Sequence, residues 1–446
     1  MKNSMFVLAS LFFLVSFTKA HAETAPPFEF HAYARSNFQV ANGLAQGSDD
    51  LNTGWGAHNR LQEGQYFELN FDAKPLEHTF FVSTFSSGST SYPYDNSIGS
   101  LNPTGGSWFN VRNLYLQYDN VGDGSGAFWF GARMFRGDGM YIFDTWPLDD
   151  HDMLGGGYVH KTDTCQAEFD IGTNKDSAFG VPGNSASRTG GNPTFSATTQ
   201  RYIFIHKFEK KIADERKFKT NLEFQYLPKG KGTDIVTGSA NNGAVFNIPS
   251  DYGVQAGVQA NLWKGNTTVL NYGYGNVVGN WGSAYLNIMG KSVIGLTSVN
   301  GASITDVNAV SSKGAQAVTA ALYGADDFSH WGLLYGWVPK FARTAGGNTG
   351  IVNSLGARPM YFLSQHIHVG AEVDWIVYPK RLKLDSSEVA YVEVTPILEY
   401  ALAKTAYGVP KFFLAAANAF YATSVTKNSH SSRYAFDGIA GMELWF

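Results

Sequence analysis

Residues 434–446 alternate so regularly that they constrain the backbone of the whole chain. Tyr434, Phe436, Gly438, Ala440, Met442, Leu444 and Phe446 share one parity, and Asp437, Glu443 and Trp445 share the other. In an extended strand these two sets point to opposite faces. The first face has aromatics at its ends and small or aliphatic residues between them, which suits a lipid bilayer with interfacial girdles. The second suits a watery lumen. The stretch ends on an aromatic. It predicts a strand of a transmembrane antiparallel β-barrel, an all-β fold whose business is passage of solutes.

The same alternation recurs along the chain. Phe28, Phe30, Ala32, Ala34 and Phe38 oppose Glu29, His31, Tyr33 and Arg35; Phe128, Phe130, Ala132 and Met134 oppose Trp129, Gly131, Arg133 and Phe135. Similar segments run through to 410–421. Splitting the longer ones into hairpins gives about eighteen strands, an even number as bacterial barrels require. Short connections are expected at Asp72–Leu76 and Lys264–Asn266. Long connections rich in Gly, Ser, Asn and Thr are expected at 41–59, 86–108, 173–199, 228–250, 276–315 and 422–433. Residues 301–322 read as loop with room for a short helix, although an alternating segment near 316–338 overlaps them. Short turns on one rim and long extracellular loops on the other are the pattern of an outer-membrane barrel.

Composition agrees. Only 16% of residues are charged and 15% are aromatic, against about 25% charged in soluble domains. A net charge of -4 argues against nucleic acid as a partner. Lys2, the apolar run Met5–Phe17 and Ala20-His21-Ala22 read as a secretory signal peptide over residues 1–22, cleaved after Ala22. Residues 23–446 are then one barrel domain. Cys165 is the one cysteine, so no intrachain disulfide forms.

Parity also nominates lumen residues. Tyr33 and Arg35 face inward on the first strand, Tyr66 and Glu68 on the second, and Trp445 and Glu443 on the last. Closure of a barrel makes the first and last strands neighbours. Aromatic faces beside charged donors and acceptors suit a sugar, whose C–H face stacks while its hydroxyls exchange hydrogen bonds. The plainer reading is that such aromatics only fill space along the wall.

Residues 136–157 are too mixed for a strand and unusually acidic. Asp149–Asp152 offer oxygen ligands for a hard cation, but their spacing fits a solvated acidic turn better. Met140, Tyr141, Ile142, Phe143 and Trp146 in the same stretch need burial, which folding into the lumen would provide. His151 among acids lacks a serine partner, and His366 with His368 lacks a third ligand. Neither makes an enzyme site or a metal site, and no cofactor is implied.

Five stretches carry a family likeness. They are Phe30-His31-Ala32-Tyr33-Ala34-Arg35-Ser36, Arg60-Leu61 with Tyr66-Phe67-Glu68-Leu69, Gly131-Ala132-Arg133 through Asp144, Gly356-Ala357-Arg358-Pro359-Met360-Tyr361, and Met442-Glu443-Leu444-Trp445. On these the chain resembles the maltoporin family, the sugar-specific porins of bacterial outer membranes. The resemblance implies an eighteen-stranded barrel, a homotrimer in outer-membrane lipid, an inward third loop, and an aromatic slide beside a polar track for oligosaccharides. Tyr33, Tyr66 and Trp445 match slide aromatics, and Trp146 falls where the family has a constriction tyrosine. Arg35, Arg60, Glu68, Arg112 and Asp144 match polar-track positions, and Arg133 matches a nearby arginine.

The chain also departs from that pattern. A slide tryptophan falls on Val352 or Asn353, and a slide phenylalanine on Thr268. The constriction arginine falls on Gly137, beside Arg136, and the constriction histidine on Tyr141. Trp108 is the candidate for the aromatic that reaches in from a neighbouring subunit. The first-loop cysteine pair is missing. Parity groups Arg112 with Leu114 and Leu116, so either a bulge intervenes or Arg112 lies at the rim. The expected function is a passive sugar-selective porin with a shortened slide; the alternative is a general diffusion porin.

Overall fold

Alternation of this kind cannot settle as a helix, because a 3.6-residue period would scatter each apolar face around the axis. A computed structural model describes residues 28–41, 60–62, 66–89, 107–174, 195–197, 201–213, 216–234, 245–248, 250–275, 277, 314–343, 349–378, 389–427 and 430–445. They form β1 (Phe28–Ala41), β2 (Tyr66–Leu76), β3 (Thr79–Ser89), β4 (Ser107–Val121), β5 (Gly126–Arg136), β6 (Asp150–Lys161) and β7 (Cys165–Asn174). After these come β8 (Phe195–Ala197), β9 (Arg201–Ala213), β10 (Arg216–Leu227), β11 (Gly230–Asp234), β12 (Val245–Ile248), β13 (Asp251–Ala260) and β14 (Asn266–Gly275). The last are β15 (Gln316–Asp327), β16 (Trp331–Arg343), β17 (Thr349–Phe362), β18 (Ile367–Tyr378), β19 (Val389–Ala401), β20 (Lys411–Lys427) and β21 (His430–Trp445).

Eighteen strands make one antiparallel sheet, and β1 pairs with β21 to close it. The closing register sets Tyr33 opposite Trp445 and Arg35 opposite Glu443. Closure leaves no strand edge unpaired, which a bilayer demands. The short strands β8, β11 and β12 form a separate three-stranded sheet. No described helix is long and apolar enough to cross a membrane.

The two faces sort as the alternation predicts. Along β13, Asp251, Gln255 and Gln259 are buried on the inner side, while Tyr252, Val254 and Val258 are exposed on the outer side. Exposed Tyr118, Phe128, Trp331, Tyr361, Tyr400 and Phe412 ring the short-turn end. Exposed Tyr202, Tyr226, Tyr252, Phe341, Phe420 and Tyr434 lie toward the other. Ile171, Leu222, Leu270, Leu355 and Leu414 are exposed between them. This is an apolar band between two aromatic girdles.

Several boundaries differ from the sequence expectation. Residues 72–76 belong to β2, so the first short turn is at 77–78. Residues 422–427 and 430–433 extend β20 and β21 instead of forming a long loop. Residues 316–322 are strand, part of β15. β6 takes in 150–157, leaving 137–149 as the loop. The expected signal peptide, most of the long connections and residues 301–313 lie outside the described residues.

The 137–149 loop folds into the lumen, as its apolar content requires. At its centre Tyr141–Phe143 form one 3-10 turn, η2. Met140, Ile142, Phe143 and Leu148 are buried against Val269, Ala321, Tyr323, Leu334 and Val338 of the barrel wall. Each such side chain contributes about 1.5–3 kcal/mol on burial, which offsets part of the entropy of fixing the loop. Gly336 and Gly356 face each other across β16 and β17. A Cβ on Gly336 would stand 2.8 Å from Met140 Sδ, and one on Gly356 2.7 Å from Phe143 Cζ. The paired glycines are therefore the socket that receives η2.

Polar wall residues hold the rest of the loop. Gln255 donates to the Leu148 carbonyl at 2.7 Å, Asn271 to the Pro147 carbonyl at 3.0 Å, and the Tyr323 hydroxyl to the Asp138 carbonyl at 2.8 Å. Lys219 pairs with Asp138 at 3.0 Å, and Lys207 with Asp149. The loop is thereby anchored along β9, β10, β13, β14 and β15.

Candidate functional site

The inward loop leaves a cavity of about 230 Å³ between itself and the wall made by β1, β2 and β21. Tyr33, Tyr66, Trp445, Trp146, Arg35, Arg60, Glu68 and Asp144 all line it, with Arg136, Tyr141 and Tyr407. Eight of the ten residues nominated from sequence thus converge on one cavity.

The aromatic part is continuous. The Tyr33 ring lies 5.8 Å from Tyr66 and 5.6 Å from Trp445. These three rings come from adjacent strands, so the barrel's own hydrogen-bond ladder spaces them. Tyr141 continues the series from the loop side, 6.3 Å from Trp445, and Tyr407 meets Tyr141 edge-on at 4.7 Å.

The polar part centres on Arg60, which a second 3-10 turn, η1 (Arg60–Gln62), brings to β21. Leu61 beside it is buried, and its carbonyl accepts a hydrogen bond from Asn37 at 3.1 Å. Arg60 Nε donates to Glu443 Oε1 at 2.9 Å, and Nη2 donates to the Tyr33 hydroxyl at 2.7 Å. Its Nη1 pairs with Asp144. The Tyr33 hydroxyl in turn donates to Glu443 at 2.7 Å, and the Tyr141 hydroxyl donates to the same carboxylate. The guanidinium also stands over the Tyr141 ring at 4.5 Å and the Tyr33 ring at 5.5 Å. Arg35 lies 3.9 Å from Asp144 and 6.0 Å from the Tyr66 ring centre. The Tyr66 hydroxyl donates to Glu68.

Loop geometry aims Asp144 at the two arginines. It closes η2 with φ 42° and ψ 52°, a left-handed conformation that aspartate tolerates better than bulky residues do. Trp146 lies over Gly139, where a Cβ would stand 2.9 Å from its Nε1, and Arg136 stacks on it at 4.0 Å.

The electrostatics of the loop groups follow from these partners. Burial alone would lower the Arg60 pKa, but Asp144, Tyr33 and Glu443 more than offset it and hold the group well above its ordinary value. Burial, then Glu443, pushes the Tyr141 hydroxyl well up. Burial likewise raises the Tyr407 hydroxyl. Asp138 and Asp149 go the other way. Burial would raise both, yet Lys219 beside Asp138, and Lys207 with His151 beside Asp149, bring them below the usual carboxylate value.

Two nominated residues stand elsewhere. Arg112 faces inward through a bulge: Thr84 pairs with Asn113 and Phe85 with Val111, leaving Arg112 as the extra residue. It is buried and donates to Ser86 Oγ at 2.9 Å. Arg133 lies across the loop, pairs with Glu168 at 2.6 Å and stands over Phe135 at 4.8 Å and Trp129 at 5.1 Å. It lines a second cavity of about 210 Å³ with Lys207, Lys219 and Asn221.

The departures from the family pattern also have physical locations. Thr268 is on the outer face of β14, and its inward neighbour Val269 packs on the loop. Val352 faces inward and is buried, while Asn353 accepts from the outer-face Trp337 at 3.0 Å. The Trp108 side chain lies outside the described residues. Asp149 is taken by Lys207, and the His151 ring stacks on Phe135 at 5.0 Å. The side chains of Asp150 and Asp152 lie outside the described residues. His366 Nδ1–H donates to the Ala401 carbonyl at 3.0 Å, while His368 packs on Phe362. Among the described residues one trio, Glu29, His31 and Asp72, brings ligand atoms within 4.8 Å of one another, and two of the three are exposed.

Sequence reasoning did not nominate Tyr407, and it left Glu443 and Tyr141 out of the binding set. Glu443 was legible, since it shares parity with Trp445 and accepts from three donors. Tyr407 sits in an irregular turn and carried no periodic signal.

No curated protein matches the chain. Among solved structures it is similar to the outer membrane channel DcaP of Acinetobacter baumannii, at 13% identity and TM-score 0.46, covering 95% of this chain and 100% of that one. It is similar to OprB of Pseudomonas putida at 11% identity and TM-score 0.41, covering 94% of each chain. It is also similar to Wzi, an outer membrane protein involved in group 1 capsule assembly in Escherichia coli. That likeness has 8% identity and a TM-score of 0.40, covering 100% of this chain and 89% of that one. The family model for LamB porins matches residues 28–390. That match spans most of the barrel, with both sides of the lumen cavity except its last strands, and the chain belongs to the LamB porin family.

Proposed function

We propose that this outer-membrane porin is sugar-selective and passes short glucose oligosaccharides, maltodextrins or close relatives, by passive diffusion. The observation that carries the reading is the unbroken run of Tyr66, Tyr33 and Trp445 facing Arg60, Asp144 and Glu443 across one small cavity. A pyranose offers a C–H face to aromatic rings, while its equatorial hydroxyls reach donors and acceptors at the ring edge. Tyr33, Tyr66, Trp445 and Trp146 are the stacking residues of this reading, and Arg35, Arg60, Glu68 and Asp144 its polar track. Arg112 and Arg133, set outside the cavity, contribute field and not contact. Each contact is weak, as passage requires: the sugar must leave as readily as it arrives.

The same reading takes residues 1–22 as a cleaved export signal, residues 23–446 as the barrel, and three copies as the assembled form. N-terminal sequencing of the mature protein and its mass in detergent test these points.

A second reading, a general diffusion pore, is favoured by one feature. Arg60, Glu443, Asp144 and Tyr33 already satisfy one another, so a sugar must compete with internal bonds. Single-channel conductance in a planar bilayer, titrated first with maltohexaose and then with sucrose, separates the two. Saturable block by either sugar supports selectivity. An open channel that neither sugar blocks supports general diffusion.

A further inference from the structure

The β19–β20 connection, residues 402–410, lies at the short-turn rim yet does not hang outside the barrel. Ala406 is buried in the same apolar cluster as Ile142 and Phe143 of the inward loop. Its backbone N–H donates to Asp327 Oδ1 at 2.9 Å, and the Thr405 hydroxyl donates to the other oxygen of that carboxylate. Asp327 ends β15, four strands before β19 in the barrel wall, so the turn crosses the mouth as a chord. A Cβ on Gly332, which opposes Asp327 across β15 and β16, would stand 2.7 Å from Ala406 Cβ. The wall is thus cut away where the turn lands.

Beyond Ala406 the chain presents Tyr407. The residue is 46% exposed and lines the aromatic cavity, and its ring meets Tyr141 edge-on at 4.7 Å. The Thr405 hydroxyl accepts the Tyr407 N–H at 3.3 Å, and Gly408 at φ 81° turns the chain back toward β20. A large ring held by a latched turn, in a residue that is half-exposed and lines the cavity, is not filling a core.

We propose that Tyr407 is a further specificity-determining residue, the last aromatic platform a sugar meets at the short-turn mouth, with Asp327 as its positioning residue. The inference rests on the sugar-selective reading above. It gives the pathway a ring that no strand supplies, in place of the inward aromatics that the wall lacks at Val269 and Val352. Its position also makes it directional. A sugar arriving from the short-turn side meets Tyr407 first, whereas one arriving from the long-loop side meets it last.

The test is maltohexaose block of single channels, with sugar added to one side at a time, for wild type, Tyr407→Ala, Tyr407→Phe and Asp327→Asn. The expected result is a loss of affinity of about three- to tenfold for Tyr407→Ala and wild-type affinity for Tyr407→Phe. Asp327→Asn is expected to fall between them. The association rate from the short-turn side should drop more than that from the other side. Unchanged affinity in Tyr407→Ala, with wild type blocked normally, overturns the assignment. So does an equal change in both association rates, which would mean that Tyr407 only props Tyr141. Wild-type channels that maltohexaose does not block remove the sugar-selective reading itself. If Tyr407→Ala yields no channels, Tyr407→Leu, which keeps an apolar tip without a flat face, decides on the same criteria.

Discussion

Trp445 has neighbours on both sides, Tyr33 at 5.6 Å and Tyr141 at 6.3 Å, and its part in closing the barrel is backbone pairing opposite Tyr33, which a side-chain change keeps. Trp445→Ala is therefore expected to weaken maltohexaose block by about three- to tenfold while leaving thermal unfolding in detergent nearly unchanged. Unchanged affinity would take Trp445 out of the mechanism. The residues of this wall were readable in advance because three neighbouring strands each place one inward aromatic, and parity alone assigns inward and outward. Arg112 was ambiguous for the same reason in reverse: a single bulge opposite Thr84 and Phe85 resets parity, and nothing in the sequence marks it. Tyr407 was invisible because its place depends on a carboxylate, Asp327, eighty residues earlier in the chain.

At the scale of elements, the inward loop carries two different kinds of anchorage, and they fail under different conditions. The apolar one depends on the glycine socket. Gly336→Ala puts a methyl 2.8 Å from Met140 Sδ and 2.9 Å from Ile142 Cγ2, so the loop must lift. The expected outcome is a larger and noisier open-channel conductance with the barrel intact. Wild-type conductance in that variant would show that the loop seats elsewhere. The polar anchorage depends on Asp138 and Asp149, whose carboxylates are held below their ordinary value. A group depressed in the folded state stabilises it fully above the unfolded value, near 3.9 for Asp, and this is lost as pH falls through the folded value. Conductance should stay constant from neutral pH to about 5 and change only below about pH 4; a change between pH 7 and 5 would contradict the anchorage. The strands themselves were legible because each is long and sharply alternating. Turns were less so: residues 72–76 read as a connection because Asp, Lys and Pro cluster there, yet the end of β2 tolerates them. Residues 316–322 read two ways, as the end of an alanine-rich loop and as the start of the alternating segment 316–338, and pairing with β14 and β16 on both sides makes them strand.

For the molecule as a whole, the outer surface is as much a determinant of function as the lumen, since a pore conducts only where its barrel sits in lipid. Leu270 lies mid-strand on the outer face, 53% exposed. Leu270→Arg is expected to cost about 2–4 kcal/mol of folding free energy in the bilayer. Urea titration of the vesicle-inserted protein measures this; a negligible cost would place β14 against protein instead of lipid. The fold class was legible at this scale because the alternation obeys one solvent arrangement from β1 to β21. The separation of the Tyr33 cavity from the Arg133 cavity was not, because it follows from where a single loop lands.

That landing place has a consequence for how such pores diversify. The seat of the inward loop is shaped by Gly336 and Gly356, two positions defined by what they lack. A lineage could keep every stacking ring and every charge of the track and still change its size cutoff through one codon on the far wall. Comparisons of the cavity-lining aromatics and charges alone would then group together pores of different bore, and the identity of the residues at those two positions would separate them.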